Sequence, residues 1–137
     1  MTDRELFMMA EKAREKSYSP YSDFAVGAAL LCRDGTVFTG ANIEHAAYSP
    51  SVCAERVAIF SAVHAGKREF EAIAVVGGKR GEKGAFCPPC GVCRQVMAEF
   101  CGGDLKVILG DEKETKAYAL NEILPLSFTK NDLEKKP

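Results

Sequence analysis

Ser49-Pro50-Ser51-Val52-Cys53-Ala54-Glu55-Arg56 and Cys87-Pro88-Pro89-Cys90-Gly91-Val92-Cys93-Arg94-Gln95 each read as the start of a helix with thiols in its first turn. Ser49 before Pro50 has the form of an N-cap followed by proline at the first helical position. Val57, Ala58, Ile59, Phe60, Ala62 and Val63 then cover most of the helix circumference, which predicts a helix sandwiched between other elements. Gly66 fits the position just past its end. In the second stretch Val96, Met97 and Phe100 face inward and Gly102-Gly103 closes the helix. The fold follows from what must bring these two helix starts together.

Between them lies Ala72-Ile73-Ala74-Val75-Val76, a short apolar run that predicts a buried strand. Leu105-Lys106-Val107-Ile108-Leu109 predicts the next one. Upstream, Phe24-Ala25-Val26-Gly27-Ala28-Ala29-Leu30-Leu31-Cys32 is apolar throughout and suits a central strand covered on both faces. Asp34-Gly35 is a hairpin turn signal, returning residues 36–40 as its partner. At the amino end Thr2 and Glu5 make a capping box. Leu6, Met9, Ala10 and Ala13 then repeat on one helical face, and the segment from Ser17 to Pro20 ends that helix. Residues 116–119 predict a short edge strand and 120–124 a short helix. Residues 130–137 are charged and read as a flexible tail. A hairpin followed by strand–helix–strand units implies an α/β fold in three α/β/α layers, a mixed five-stranded sheet with helices on both faces. With no repeat or linker, residues 1–137 form one expected domain.

Composition narrows the function. The chain has 137 residues, 47% hydrophobic and 27% charged, with a formal net charge of −1. A chain of about 150 residues buries roughly 68–70% of its unfolded surface, so a core without disulfides is feasible. Near-neutral charge gives no footprint for nucleic acid or an anionic membrane. The longest uncharged apolar run, from Phe24 to Cys32, falls far short of the roughly 20 residues a membrane span needs. The start Met1-Thr2-Asp3-Arg4-Glu5 lacks the basic-then-apolar order of a signal peptide, so the expected location is cytoplasmic. There the six cysteines point to metal or catalysis rather than disulfides.

Cys90 and Cys93, three apart on one helix, turn their sulfurs the same way and can take two corners of a tetrahedral zinc site. Helix N-termini favour thiolates at these positions and at Cys53. Spacing alone leaves the register open, because Cys87-x-x-Cys90-x-x-Cys93 holds two overlapping pairs. A structural four-cysteine site using Cys87 is the competing arrangement. Cys32 and Cys101 sit in apolar surroundings and read as core. Three thiolates on a dication are too electron-rich for a strong Lewis acid. Donors must draw charge off the sulfurs, and Arg56, Arg94 and Gln95 are the candidates. Glu55, two residues after Cys53, serves better as a proton shuttle than as a ligand.

The motifs together resemble those of the zinc-dependent cytidine and deoxycytidylate deaminases, most of all the small bacterial-type class. The matching stretches are Ser19-Pro20-Tyr21-Ser22-Asp23-Phe24-Ala25-Val26-Gly27-Ala28-Ala29-Leu30, Asn42-Ile43-Glu44-His45-Ala46-Ala47-Tyr48, Cys53-Ala54-Glu55-Arg56 and Pro89-Cys90-Gly91-Val92-Cys93-Arg94-Gln95. The resemblance settles the register on Cys53, Cys90 and Cys93, with one zinc ion per subunit. It implies hydrolytic deamination of cytidine and deoxycytidine to uridine and deoxyuridine with release of ammonia, in pyrimidine salvage. Hydroxide held by zinc would attack C4 while Glu55 carries protons to N3 and to the leaving ammonia. The Ala54 N–H and the Cys90 carbonyl would orient the base, Asn42 and Glu44 would bind the ribose, and Phe24 would pack on the nucleoside. Cys rather than His in the first motif points to the homotetrameric class, in which Phe128 would reach a neighbouring subunit's pocket. Three positions depart from the family pattern: Pro88 in place of Ser, Cys87 before it, and His45 in place of Asn. The alternatives are a deaminase of a related aminonucleoside such as blasticidin S and a non-catalytic structural zinc module.

Overall fold

A computed structural model describes residues 1–134 of the chain. Thr2 caps helix α1 (Asp3–Ala13) with the expected capping box, its hydroxyl accepting from the Glu5 N–H. A single 3₁₀ turn (Arg14–Lys16) follows. Strand β1 (Phe24–Cys32) and strand β2 (Val37–Ala41) form the expected hairpin, and Gly35 supplies the left-handed φ of +93° that its turn requires. Helix α2 (Ala54–His64), strand β3 (Phe70–Lys79), helix α3 (Gly91–Phe100), strand β4 (Lys106–Gly110) and strand β5 (Thr115–Ala119) complete the body. Two short helices follow, α4 (Leu120–Ile123) and α5 (Lys130–Leu133).

The sheet order is β2-β1-β3-β4-β5. Only β3 and β4 run parallel, with α3 as their crossover; the other pairs are antiparallel. Alternation along β1 divides the core. Ala28, Leu30 and Cys32 face α2 and α3, joined by Ile59, Ile73, Val75, Met97 and Val107. Ala29 and Leu31 face α1, where they meet Leu6, Phe7, Ala10, Ala72, Ala74 and Ile108. Covering both faces makes β1 and β3 apolar without a period-two polar pattern. The result is the expected α/β/α sandwich with a mixed five-stranded sheet.

One expectation is corrected. The helix after Ser49-Pro50 begins four residues later than the proline signal implies, with Cys53 as its N-cap. Val52 is drawn into an antiparallel bridge with Ile43, so the chain stays extended up to Cys53 (ψ 155°). The described part of the charged C-terminal segment includes α5. Thr129 and Asp132 make a capping box that starts α5, and residues 135–137 lie outside the described part.

Gly40 on β2 sets how closely α2 approaches the sheet. A Cβ there would stand 2.4 Å from the Ala54 carbonyl oxygen and 2.7 Å from the Ala58 nitrogen. Gly40→Ala is therefore expected to lower stability by about 1–3 kcal/mol, the ordinary range for forced overpacking. It would also displace the turn that carries Cys53 and Glu55. An unchanged midpoint in urea unfolding would contradict the packing described.

Candidate metal centre and substrate cleft

The two helix starts do meet. Cys53 is the N-cap of α2, Cys90 the N-cap of α3, and Cys93 lies in the first turn of α3. Their three sulfurs lie within 4.8 Å of one another. The Cys53 and Cys90 sulfurs are 3.9 Å apart. A tetrahedral zinc with Zn–S of about 2.3 Å sets its thiolates about 3.8 Å apart, so the cluster fits this ion with little adjustment. The Cys90 sulfur accepts from the Cys93 N–H at 3.5 Å, the capping bond of α3. Cys87 stands outside the three-sulfur cluster, its sulfur lying over Gly77 near the Phe24 ring.

The charges are arranged for a cation. The Cys53 thiol is pulled down to about 5, first by a hydrogen bond from the Cys93 thiol and then by Arg56. Cys93 is pushed up by its donor role toward Cys53 and by burial. One thiolate thus suppresses ionisation of the next, and a dication held between them removes that conflict. Arg56 Nη2 donates to the Cys53 sulfur at 3.3 Å, a bond that can draw charge off that sulfur. Arg94 and Gln95 are placed differently. Arg94 donates to the carbonyls of Pro89 (2.8 Å) and Ile123 (2.6 Å), and Gln95 to the Phe128 carbonyl. They brace α3 against the C-terminal segment.

Glu55 is only 3% exposed, and its Oε1 has no hydrogen-bond partner among the described residues. Burial pushes its carboxyl up to about 7, with the Cys53 charge adding to the rise. A buried carboxyl with an open acceptor, poised near neutrality, suits proton transfer rather than structure. Cys101, by contrast, is pushed up to about 12 by burial, and Cys32 is 1% exposed; both serve the core.

A cleft of about 310 Å³ opens over this cluster. Its wall includes Val26, Asn42, Glu44, Ser51, Cys53, Glu55, Arg56, Cys87, Pro88 and Cys90. The Val26 N–H donates to Asn42 Oδ1 at 2.9 Å, and Asn42 Nδ2 donates to the Phe24 carbonyl at 2.8 Å, which fixes the amide orientation. The Ser17 hydroxyl adds a bond to Oδ1. Glu44 Oε1 accepts from the Tyr21 and Ser22 N–H groups at 3.0 and 3.1 Å, and its Oε2 from the Ser22 hydroxyl. These bonds, that of the hydroxyl foremost, hold the carboxyl below its usual range. Ala54 is fully buried at the first position of α2, where a helical N–H lacks an intrahelical acceptor. The Cys90 carbonyl accepts one bond, from Arg94 N–H, and keeps a second lone pair. Phe24 is half exposed beside Cys87, and Phe128 is exposed and absent from the wall of this cleft. The sequence reading missed Ser17 and Ser22. Each is an ordinary loop serine by composition, and only the tertiary fold reveals its partner. A larger cleft, about 590 Å³, lies on the opposite side along α1 and holds no thiol.

Converging thiols, a buried carboxyl and a cleft with Asn42 and Glu44 in its wall are the parts a metal-assisted hydrolytic site requires, here on an α/β/α frame. Comparison with known proteins supplies the particular family. Residues 1–110 match the family described as the cytidine and deoxycytidylate deaminase zinc-binding region. The chain is 49% identical to the cytidine deaminase of Sporosarcina psychrophila, over 97% of this chain and 96% of that one. It is 48% identical to that of Halalkalibacterium halodurans, over 96% and 98%. The crystal structure of cytidine deaminase from Burkholderia pseudomallei superposes with a TM-score of 0.86 at 46% identity, covering 93% of this chain and 100% of that one. The chain belongs to the cytidine and deoxycytidylate deaminase family.

Proposed function

We propose that the protein is a zinc-dependent cytidine deaminase, converting cytidine or deoxycytidine and water into uridine or deoxyuridine and ammonia. The observation that carries this reading is Glu55, buried beside three thiols spaced for one zinc ion, with an oxygen that has no partner among the described residues. Cys53, Cys90 and Cys93 would hold that ion, one per subunit. Bound zinc supplies Lewis acidity that makes water a competent nucleophile near neutral pH. Glu55 would take one proton from the attacking water and deliver it to N3 of the pyrimidine, then take the remaining proton from the new C4 hydroxyl and pass it to the amino group, which leaves as ammonia while the C4 carbonyl forms. Its raised pKa matches it to both directions of transfer. The Ala54 N–H and the Cys90 carbonyl orient the base.

Asn42 and Glu44 take the sugar. Asn42 keeps one N–H beyond its bond to Phe24, and Glu44 keeps an acceptor site from the roughly four of a carboxylate. Phe24 flanks the nucleoside. Phe128, exposed and away from its own cleft, fits contact with the cleft of a neighbouring copy in a homotetramer. No helix among the described residues is long and apolar enough to cross a membrane. In this reading the enzyme serves pyrimidine salvage in the cytoplasm. Neither nucleic acid nor a membrane is a partner in this reading.

Zinc-loaded protein is expected to consume cytidine with a fall in ultraviolet absorbance and release of one ammonia per uridine. It should leave single-stranded DNA and blasticidin S untouched. Turnover of blasticidin S without turnover of cytidine would overturn the substrate assignment. A saturated zinc with no turnover of any aminopyrimidine would leave a structural zinc module.

A further inference from the structure

The loop ahead of β1 carries more of the sugar site than its composition suggests. Glu44 does not stand free in the cleft. Three of its hydrogen bonds come from two adjacent residues, Tyr21 and Ser22, and the hydroxyl bond from Ser22 holds Oε2 while both backbone amides hold Oε1. The same Ser22 hydroxyl accepts from the Phe24 N–H at 3.0 Å, so it links the carboxylate to the first residue of β1. The loop reaches this geometry through Asp23, a non-glycine residue at φ +60°. Aspartate enters this region more readily than most L-residues. Arg80 braces the loop there. Its N–H donates to the Asp23 carbonyl at 2.8 Å, and its guanidinium lies 3.9 Å from the Asp23 carboxylate and bonds the buried Ser19 hydroxyl at 3.0 Å.

We propose that Ser22 is a positioning residue for sugar recognition, holding the Glu44 carboxylate in the one orientation that leaves its remaining acceptor site facing the substrate. The proposal rests on the reading of Glu44 as a ribose contact. An unrestrained glutamate side chain samples several rotamers, and ordering it on binding costs affinity. Ser22 removes that cost before substrate arrives. Its effect belongs to binding through the sugar hydroxyls, not to proton transfer at the base. Ser22 is itself at the surface, so removing its hydroxyl leaves the core untouched.

The test is steady-state kinetics of zinc-loaded wild type, Ser22→Ala and Ser22→Thr on cytidine and on dideoxycytidine, which lacks the sugar hydroxyls that Glu44 could hold. For Ser22→Ala on cytidine, KM is expected to rise about tenfold, the scale of one hydrogen bond to a charged group, with kcat within about twofold. On dideoxycytidine the same variant should match wild type, because the contact that Ser22 prepares is missing from both. Ser22→Thr, which keeps the hydroxyl, should restore most of the cytidine KM. An unchanged KM on cytidine, or an equal loss on both nucleosides, would overturn the proposal while leaving the deaminase reading intact. Failure of the wild type to turn over cytidine would overturn the reading and the proposal together.

Discussion

Glu55→Gln is expected to lower kcat on cytidine by about ten-thousand-fold or more, the upper end of what one acid–base residue contributes, because here one group serves several transfers. The amide keeps the shape of the carboxyl and fits the same buried site, where Oε1 has no partner among the described residues to lose. It cannot take a proton from water or hand one to N3. Folding should survive intact, since the substitution removes an ionisable group from a position only 3% exposed. Zinc should stay bound, because Glu55 is not among the three residues whose sulfurs converge. Metal analysis, thermal melting and single-turnover kinetics on the same sample separate these outcomes. A variant that loses zinc along with activity would assign Glu55 to the ligand set. A variant that retains a tenth of the activity would move the proton shuttle elsewhere.

Cys93→Ala is expected to abolish zinc binding and turnover together and to lower the melting temperature on the order of 10 °C. Cys93 is fully buried in the first turn of α3, and the helix of Cys53 packs against it in the same core cluster. A bound ion would tie the start of α2 to the start of α3 across the top of the sheet. Without its third corner the site keeps two sulfurs, too few to close a tetrahedron around one metal with a single open position. Loss of binding free energy then appears directly as loss of stability. Cys87→Ala is the matched comparison. Its sulfur lies over Gly77, outside the three-sulfur cluster, so that variant should retain its zinc. Zinc retained in Cys93→Ala and lost in Cys87→Ala would reverse the register of the motif.

Much of this was legible in the chain because the strongest signals are local. The Thr2–Glu5 capping box, the Asp34-Gly35 turn and the apolar runs of β1 and β3 each depend on neighbours a few residues away. The approach of Cys90 to Cys93 was legible for the same reason, since the two share one turn. What sequence hid depends on distant contacts. The bridge from Val52 to Ile43 delays α2, and nothing in Ser49-Pro50 announces it. Arg94 sits beside Cys93 in sequence, yet its guanidinium turns to the Ile123 carbonyl. Arg14 looks like a surface residue at the end of an amphipathic helix. It is buried, and it bonds the carbonyls of Ala25, Gly78 and Glu82 and pairs with Glu11 at 2.8 Å, locking α1 onto the sheet. Ser22 and Glu44 are far apart along the chain and adjacent only in the fold.

The most direct measurement is the fate of oxygen from solvent. Zinc-loaded protein is incubated with cytidine in water enriched in heavy oxygen, and the nucleoside product is examined by mass spectrometry alongside an ammonia assay. Uridine carrying one solvent oxygen at C4, with an equal amount of ammonia, is the predicted result. Intact cytidine, or a product formed without solvent oxygen at C4, would contradict hydrolytic deamination by this site.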